Sequence, residues 1–208
     1  MLAIHPDIQD KLYSEIRQTI GDKVPTYDDF PNLVYPLCIM FETLRMFPPV
    51  VGIPKKANGD QLLLGKYLIP NGTYTFFDTV NLHHNKHAWG TDIHIFNPSR
   101  FDGRNLTQQV TEKDTGDTSP GATYEKIKMP AKGAFAPFSE GARSCLGRKF
   151  AQVEFVACLV MVMRSWSVEL AEGWSTERVW EVINKSITII TLVPTEDIPL
   201  VFKKRPVN

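Results

Sequence analysis

One short run constrains this chain more than any other: segment 138–151, FSEGARSCLGRKFA, which holds a single cysteine, Cys145. Gly141 and Gly147 lack a Cβ, so the backbone beside the cysteine can turn sharply and come close to a flat partner. Arg143 lies two residues before the sulfur and supplies a permanent planar cation that suits a carboxylate. The run therefore predicts a tight loop that presents one thiol beside one fixed positive charge.

The residues after Cys145 favour a helix, which places the sulfur near a helix N-terminus. There the helix dipole and free backbone N–H groups stabilise an anionic sulfur. Phe138, seven residues earlier, can cover the loop and exclude water. Because a thiolate in such a loop can serve as an axial ligand of haem iron, we predict that Cys145 binds the metal. The cofactor site then comprises the positions around it: Phe138, Gly141, Arg143, Cys145 and Gly147.

The other two cysteines, Cys38 and Cys158, lie in apolar helical surroundings, and we predict that both are core residues. Three unevenly spaced cysteines form no disulfide framework, which is consistent with a reducing compartment.

The spacing Phe-x-x-Gly-x-Arg-x-Cys-x-Gly of segment 138–147 resembles the haem-binding signature of the cytochrome P450 family, whose members hold haem iron through a thiolate. The resemblance implies haem b, iron protoporphyrin IX, bound through Cys145. Many family members carry a propionate-binding arginine shortly after a proline-rich helix end. This chain has Lys55 and Lys56 in that region, and either could substitute with weaker, non-bidentate binding.

Glu42 and Arg45 have the spacing that places two side chains on one face of a helix, and a proline pair follows Phe47. They resemble the family's Glu-x-x-Arg helix. Segment 96–101 resembles its Pro-Glu-Arg-Phe stretch, with serine in place of glutamate. The resemblance implies a buried triad of Glu42, Arg45 and Arg100 that holds the haem loop against the core.

Four histidines lie close together between these segments: His83, His84, His87 and His94. Imidazoles at short spacing raise the alternative of a zinc site. No cysteine or carboxylate completes a familiar ligand set, so we predict that most of these histidines are loop residues.

Composition excludes some functions. The 208 residues carry 23 basic and 23 acidic side chains, and no basic stripe is present, so nothing indicates a nucleic-acid partner. Residues 1–6 lead directly into an amphipathic helical pattern, so we expect no signal peptide in this sequence. Its most apolar stretch, 153–163, is shorter than the ~20 residues that a bilayer crossing requires.

The hydrophobic periodicity predicts helices and a few short strands. The resemblance implies that they form the C-terminal part of a single cytochrome P450 domain, mainly α with small β-sheets. In chain order, the predicted segments are helices with Glu-x-x-Arg (1–49), a small sheet and the Pro-Ser-Arg-Phe stretch (50–102), a polar surface loop (103–130), the haem-binding loop (131–151), a buried helix (148–170) and a closing hairpin (186–205).

Three of these predictions are specific enough to test. Strands at 61–69 and 73–79 should form a hairpin around the Pro-Asn-Gly turn at 70–72. The helix after Cys145 should be buried on most sides, with Met161 and Met163 as core residues. Strands at 186–193 and 198–203 should pair at the end of the chain.

The resemblance implies a monooxygenase that inserts one oxygen atom of dioxygen into an apolar small organic substrate, using electrons from an NADPH-dependent reductase. Less than half of the family's fold is represented, so we expect a C-terminal fragment or truncated gene model that holds the proximal haem half. The oxygen-activating helix is then missing, catalytic residues are unknown, and the isolated chain is inactive. In a microsomal parent, a missing N-terminal segment would provide the membrane association, on the cytosolic face of the endoplasmic reticulum.

Two alternatives stay open at this point. One is a haem-binding remnant without turnover. The other is a haem-thiolate isomerase or dehydratase that needs no redox partner.

Overall fold

The computed structural model describes residues 1–104, 126–188 and 191–206. Its helices are α1 (Pro6–Thr19), α2 (Val34–Met46), α3 (Thr79–His83), α4 (Lys86–Trp89), α5 (Arg148–Met163) and α6 (Thr176–Asn184). Its strands are β1 (Gly52–Lys56), β2 (Gln61–Leu63), β3 (Tyr67–Ile69), β4 (Tyr74–Asp78), β5 (Trp166–Leu170), β6 (Ile187–Thr188), β7 (Leu192–Val193) and β8 (Leu200–Lys204). Short 3-10 helices lie at Leu2–Ile4, Tyr27–Asn32, Pro98–Phe101 and Gly141–Arg143. In the described part of the chain, helices thus contain more residues than strands and the sheets are small, as predicted.

The first helix follows its sequence pattern. Pro6 occupies the first turn, where its missing N–H is not needed, and Leu12 and Ile16 are completely buried on one face. Gly21 follows the helix with a φ of +63°, a conformation that side chains with a Cβ disfavour, and the chain turns there.

The second helix forms the centre of the core. All of α2 except Thr43 and Leu44 is buried, including Cys38 as predicted. The carboxylate of Glu15 on α1 accepts a hydrogen bond from the backbone N–H of Tyr35 (2.6 Å). An N–H in the first turn of a helix has no partner within the helix, so this contact satisfies it and fixes α1 against α2.

The predicted strand at 61–69 is wrong, because this run is itself a hairpin. Strands β2 and β3 pair antiparallel with Leu62 opposite Leu68, and Leu64 and Gly65 between them have φ of +54° and +66°. Two successive positive φ angles reverse the chain in a turn that suits a hairpin. The Pro-Asn-Gly run at 70–72 instead joins β3 to β4, which pairs with β1. Segment 61–69 is mostly apolar, so its sequence did not indicate this turn.

The predicted closing hairpin at 186–205 is also wrong. Strand β6 pairs with β7, whereas β8 pairs with β5. Strand β5 lies in the segment that was predicted to continue the helix to residue 170. The helix ends at Met163. The amide of Gln9 donates to the Val168 carbonyl (3.0 Å) and accepts from the Val168 N–H (2.8 Å). This contact spans 159 residues of sequence, so local patterns could not predict it.

Helix α5 is buried along one stripe rather than on most sides. Gln152, Val156, Val160 and Met163 face inward, towards α1 and α2. Cys158 and Met161 are exposed, so the prediction that they are core residues is wrong. Neighbouring helices cover only one side of α5 within the described residues, and apolar composition alone does not determine which sides are covered.

The predicted surface loop at 103–130 falls mostly outside the described residues. In its last part Ile127 is completely buried, whereas its neighbours Lys126 and Lys128 are exposed, so the loop is not purely a surface segment. Gly103 donates to the Lys126 carbonyl (2.8 Å), and a Cβ on Gly103 would lie only 3.0 Å from that same oxygen. Glycine therefore permits the close approach of the two ends of the loop.

None of the helices in the described ranges combines the length and apolar character that crossing a membrane requires.

Candidate functional site

The loop around Cys145 is closed by its own backbone. The Cys145 N–H donates to the Phe138 carbonyl (2.8 Å), and the Ser144 N–H donates to the Gly141 carbonyl (3.0 Å). The turn depends on positive φ angles at Ser139 (+61°) and Gly141 (+77°), so glycine is favoured at 141 for its backbone conformation. These contacts hold the cysteine in a defined place on the loop.

The sharp turn predicted at Gly147 is not found. Its φ of −81° is ordinary, so the backbone does not turn sharply there. A Cβ placed on Gly147 would lie 4.0 Å from the Cys145 sulfur, so glycine leaves the space beside the sulfur open. Gly147 is also the residue before the first turn of α5, and Cys145 therefore lies just before a helix N-terminus, as predicted.

The surface around the thiol is apolar and cationic. Cys145 is exposed, and so are two large apolar side chains on its C-terminal side, Leu146 and Phe150. Arg143 is exposed in the 3-10 helix Gly141–Arg143 and forms no salt bridge with another described residue. An accessible sulfur, uncovered apolar groups and an available guanidinium fit a flat, largely apolar group that carries carboxylates, as haem does.

Phe138 is half-buried and packs against the core behind the loop. It lines a cleft of about 370 Å³ together with Phe41, Phe135, Gly141 and Arg148. The cleft is thus bordered by the Cys145 loop, by α2 and by α5.

The structure brings Glu42, Arg45 and Arg100 together. Arg45 donates from Nε to Glu42 Oε2 (2.7 Å) and from Nη2 to Glu42 Oε1 (2.9 Å), and both side chains are completely buried. Arg100 Nε reaches Glu42 Oε1 at 3.4 Å. A bidentate pair of this kind supplies the hydrogen bonds that two buried charges need.

The triad extends into the segment that precedes Arg100. The Asn97 N–H donates to Glu42 Oε1 (2.9 Å), and Arg100 also binds Asp92 through its carboxylate (3.0 Å) and its carbonyl (2.6 Å). The Arg100 guanidinium lowers the pKa of the Asp92 carboxyl. Segment 92–100 is thus fixed to α2 by charge-assisted hydrogen bonds.

His83 connects this triad region to the Cys145 loop, a role that the sequence did not reveal. Its Nδ1 lies 3.2 Å from the Leu44 carbonyl, and its Nε2 accepts from the Ala136 N–H (3.0 Å). The helical partner of the Leu44 carbonyl would be Pro48, which has no N–H, so His83 replaces it. The ring is completely buried and lies in α3. His87 lies in α4, so the prediction that most of the four histidines are loop residues is wrong.

An aromatic cluster reinforces the same connection. The rings of Phe41, Trp89, Phe101 and Phe135 pack with centroids 5.2 to 5.8 Å apart. Trp89 Nε1 also donates to the Ala134 carbonyl (3.3 Å). Segment 134–136 is therefore anchored on α2, α3 and α4 only two residues before Phe138, where the closed loop begins.

The remaining candidate ligands do not come together. Within the described ranges no three histidine, cysteine or acidic side chains could hold a metal ion jointly, so the zinc alternative receives no support. Lys55 and Lys56 are exposed on β1, and Lys56 lies over the ring of Tyr74 (5.3 Å). Their suggested role with a propionate stays a prediction.

Comparison with known proteins agrees with the motifs. The family model described as Cytochrome P450 matches residues 1–190. The chain is 34% identical over 219 residues to Cytochrome P450 monooxygenase 124 of Postia placenta, covering 99% of this chain and 37% of that protein. It is 30% identical to Secologanin synthase 2 and 29% identical to 7-deoxyloganic acid hydroxylase, both of Catharanthus roseus, covering 98% of this chain in each case.

The chain spans about a third of the length of these relatives, namely 37%, 33% and 34%. The matched region includes the Glu42–Arg45 pair, segment 96–101 and the Cys145 loop. On the family match and on these relatives, the chain belongs to the cytochrome P450 family.

Proposed function

We propose that this protein is a haem-thiolate monooxygenase in which Cys145 is the axial ligand. The observation that carries the proposal is an exposed cysteine on a closed loop, beside an available arginine and uncovered apolar side chains. Two of the relatives are named as a monooxygenase and a hydroxylase, which supports the same class of reaction.

Each residue of the proposed site has a distinct task. The Cys145 sulfur would bind iron, and Arg143 would pair with a haem carboxylate. Gly141 keeps the loop in its turn, and Gly147 leaves the space beside the sulfur free. Phe138 packs against the core behind the loop. When bound, thiolate-ligated haem supplies an electron-rich iron that favours cleavage of the O–O bond.

The triad has a supporting task in this proposal. The triad holds segment 92–100 to α2. His83 and Trp89 in turn bind residues 134–136 by hydrogen bonds. The loop therefore has little freedom to move relative to α2, and a rigidly held ligand needs no reorganisation when haem binds.

We further propose an apolar small organic substrate and electrons from an NADPH-dependent reductase. Membrane association on the cytosolic face of the endoplasmic reticulum fits a microsomal-type protein. These points extend what the family implies to this chain.

The ligand assignment can be tested with the 208-residue chain. The chain is reconstituted with haemin, reduced and exposed to carbon monoxide, and the absorption spectrum is recorded. We expect the red-shifted Soret band of thiolate ligation, and its loss in Cys145→Ala. Cys158→Ala is the matched control because Cys158 is also exposed. If Cys145→Ala keeps the band, Cys145 is not the ligand.

A further inference from the structure

A cavity of about 460 Å³ lies between the C-terminal end of α2, the helices α3 and α6, and the segment that follows α6. It shares no lining residue with the cleft beside the Cys145 loop. Part of its lining is apolar and comes from Met46, Phe47, Trp180, Ile183 and Leu192. A cavity of this size and lining is typical of a site for a small molecule.

Two pairs of aromatic rings line the cavity. The rings of Phe47 and Trp180 have centres 6.3 Å apart and are tilted by 43°. The imidazoles of His84 and His94 are stacked, with centres 6.0 Å apart and planes 28° apart. Ring faces pack well against another flat ring, so four rings around one space favour an aromatic ligand over a branched aliphatic one.

His84 offers the cavity a hydrogen-bond acceptor. Its Nδ1 lies 2.9 Å from the Val80 carbonyl, which can only accept, so the proton of the ring is on Nδ1. Burial lowers the pKa of His84 below its ordinary value, and the ring is therefore neutral at pH 7. Nε2 is then an acceptor, and it has no hydrogen-bond partner among the described residues. A ligand that meets this atom must donate a hydrogen bond.

The polar groups of the cavity favour an uncharged ligand. Among the described residues that line it there is no lysine, arginine, aspartate or glutamate. Asn184 and Ser186 add neutral groups that can donate or accept. A carboxylate or an ammonium group would lose its hydration here without gaining an oppositely charged partner, whereas a hydroxyl group can be satisfied.

We propose that this cavity binds an uncharged, flat aromatic molecule that carries a hydroxyl group. The aromatic pairs pack against its ring, and its hydroxyl donates to Nε2 of His84. The proposal does not depend on haem binding or on Cys145. It can therefore fail while the proposed monooxygenase function stands, and the reverse also holds.

The test is a calorimetric titration of the haem-free 208-residue chain at neutral pH with three probes. The first is 2-naphthol, which is flat, uncharged and a hydrogen-bond donor. The second, 2-methoxynaphthalene, keeps the rings but cannot donate, and the third, 2-naphthoate, is charged. We expect 2-naphthol to bind saturably at one site. The other two should bind at least about fivefold more weakly, which is the effect of one neutral hydrogen bond.

Two variants and a matched control locate the site. His84→Phe keeps a ring but removes the acceptor, so it should weaken 2-naphthol binding about fivefold and abolish its advantage over 2-methoxynaphthalene. His87→Phe makes the same change at an exposed histidine outside the cavity and should leave binding unchanged. Ser186→Trp fills the cavity and should weaken 2-naphthol binding by more than about tenfold. Circular dichroism and thermal unfolding confirm the fold of each variant.

Any of three results would overturn the proposal. The first is the absence of saturable binding of 2-naphthol to the parent chain. The second is 2-methoxynaphthalene or 2-naphthoate binding as tightly as 2-naphthol, which would show that donation to His84 does not select the ligand. The third is unchanged 2-naphthol binding in a folded Ser186→Trp variant, which would place the ligand elsewhere.

Discussion

His83 Nε2 accepts a hydrogen bond from the backbone N–H of Ala136, at 3.0 Å and across 53 residues of sequence. Nε2 must therefore be unprotonated, and the proton of the ring lies on Nδ1, directed to the Leu44 carbonyl at 3.2 Å. One neutral imidazole thus joins the end of α2 to the segment that leads into the Cys145 loop.

The first prediction concerns the pH dependence of stability. Burial lowers the pKa of His83 to about 4, from an ordinary value near 6.5. Between these values the unfolded chain binds a proton that the folded chain does not, so the free energy of unfolding decreases as the pH falls from about 6.5 to about 4. The loss attributable to His83 is about 3 kcal/mol. Urea unfolding across this pH range measures it.

The control for this prediction is His83→Gln, which cannot titrate. Its unfolding free energy should decrease less over the same pH range. Burial also lowers the pKa of His5 and His84, so part of the dependence should persist. An identical pH dependence in both proteins would rule out His83 as a source.

A second prediction separates the two hydrogen bonds of His83. Glutamine can place its carbonyl oxygen near the position of Nε2 and still accept from Ala136. Asparagine is shorter and can replace only the donor to the Leu44 carbonyl. His83→Asn then leaves the buried Ala136 N–H without a partner, at a cost of about 1–3 kcal/mol. Hydrogen exchange at Ala136 should accelerate in His83→Asn more than in His83→Gln. Equal exchange in the two variants would contradict the assignment.

The third prediction tests the buried ion pair. Glu42→Gln removes the anion that Arg45 and Arg100 share, and leaves the completely buried Arg45 cation without compensation. We expect the unfolding free energy to fall by about 3–5 kcal/mol. Chemical denaturation measures this loss.

The chain offers a matched control for that change. Arg178 and Glu181 form an ion pair at the same helical spacing, but both side chains are largely exposed. Glu181→Gln should therefore cost less than about 1 kcal/mol. Similar losses in the two variants would show that burial does not determine the strength of the Glu42 contacts.

The fourth prediction concerns thiol reactivity. Burial raises the pKa of Cys38 far above its ordinary value, and its side chain is inaccessible. Iodoacetamide should therefore modify Cys145 and Cys158 in the folded chain, and Cys38 only after denaturation. Peptide mass spectrometry identifies the modified sites. Early modification of Cys38 would contradict the core packing.

Much of the candidate site could be predicted from the spacing of residues in the sequence. Glu42 and Arg45 lie three positions apart on one helix, so local geometry alone brings them together. The loop around Cys145 likewise depends on nearby glycine and backbone contacts. The haem-binding roles of its residues remain predictions.

Contacts between distant segments, among them those that anchor the loop, could not be predicted in this way. His83 with Ala136, Trp89 with Ala134 and Gln9 with Val168 join residues that are 45 to 159 positions apart. A hydrophobicity pattern contains no information on which distant backbone groups lack a partner. The pairing of β8 with β5 was missed for the same reason.

By itself, the sequence determined the local elements: α1, α2, the start of α5 and the motif around Cys145, because helix periodicity, proline positions and glycine conformations act over a few residues. Only the tertiary structure decided which strands pair, which face of α5 is buried and which cysteines are accessible. Those outcomes depend on contacts between distant segments, where packing and the satisfaction of buried hydrogen bonds outweigh local preference.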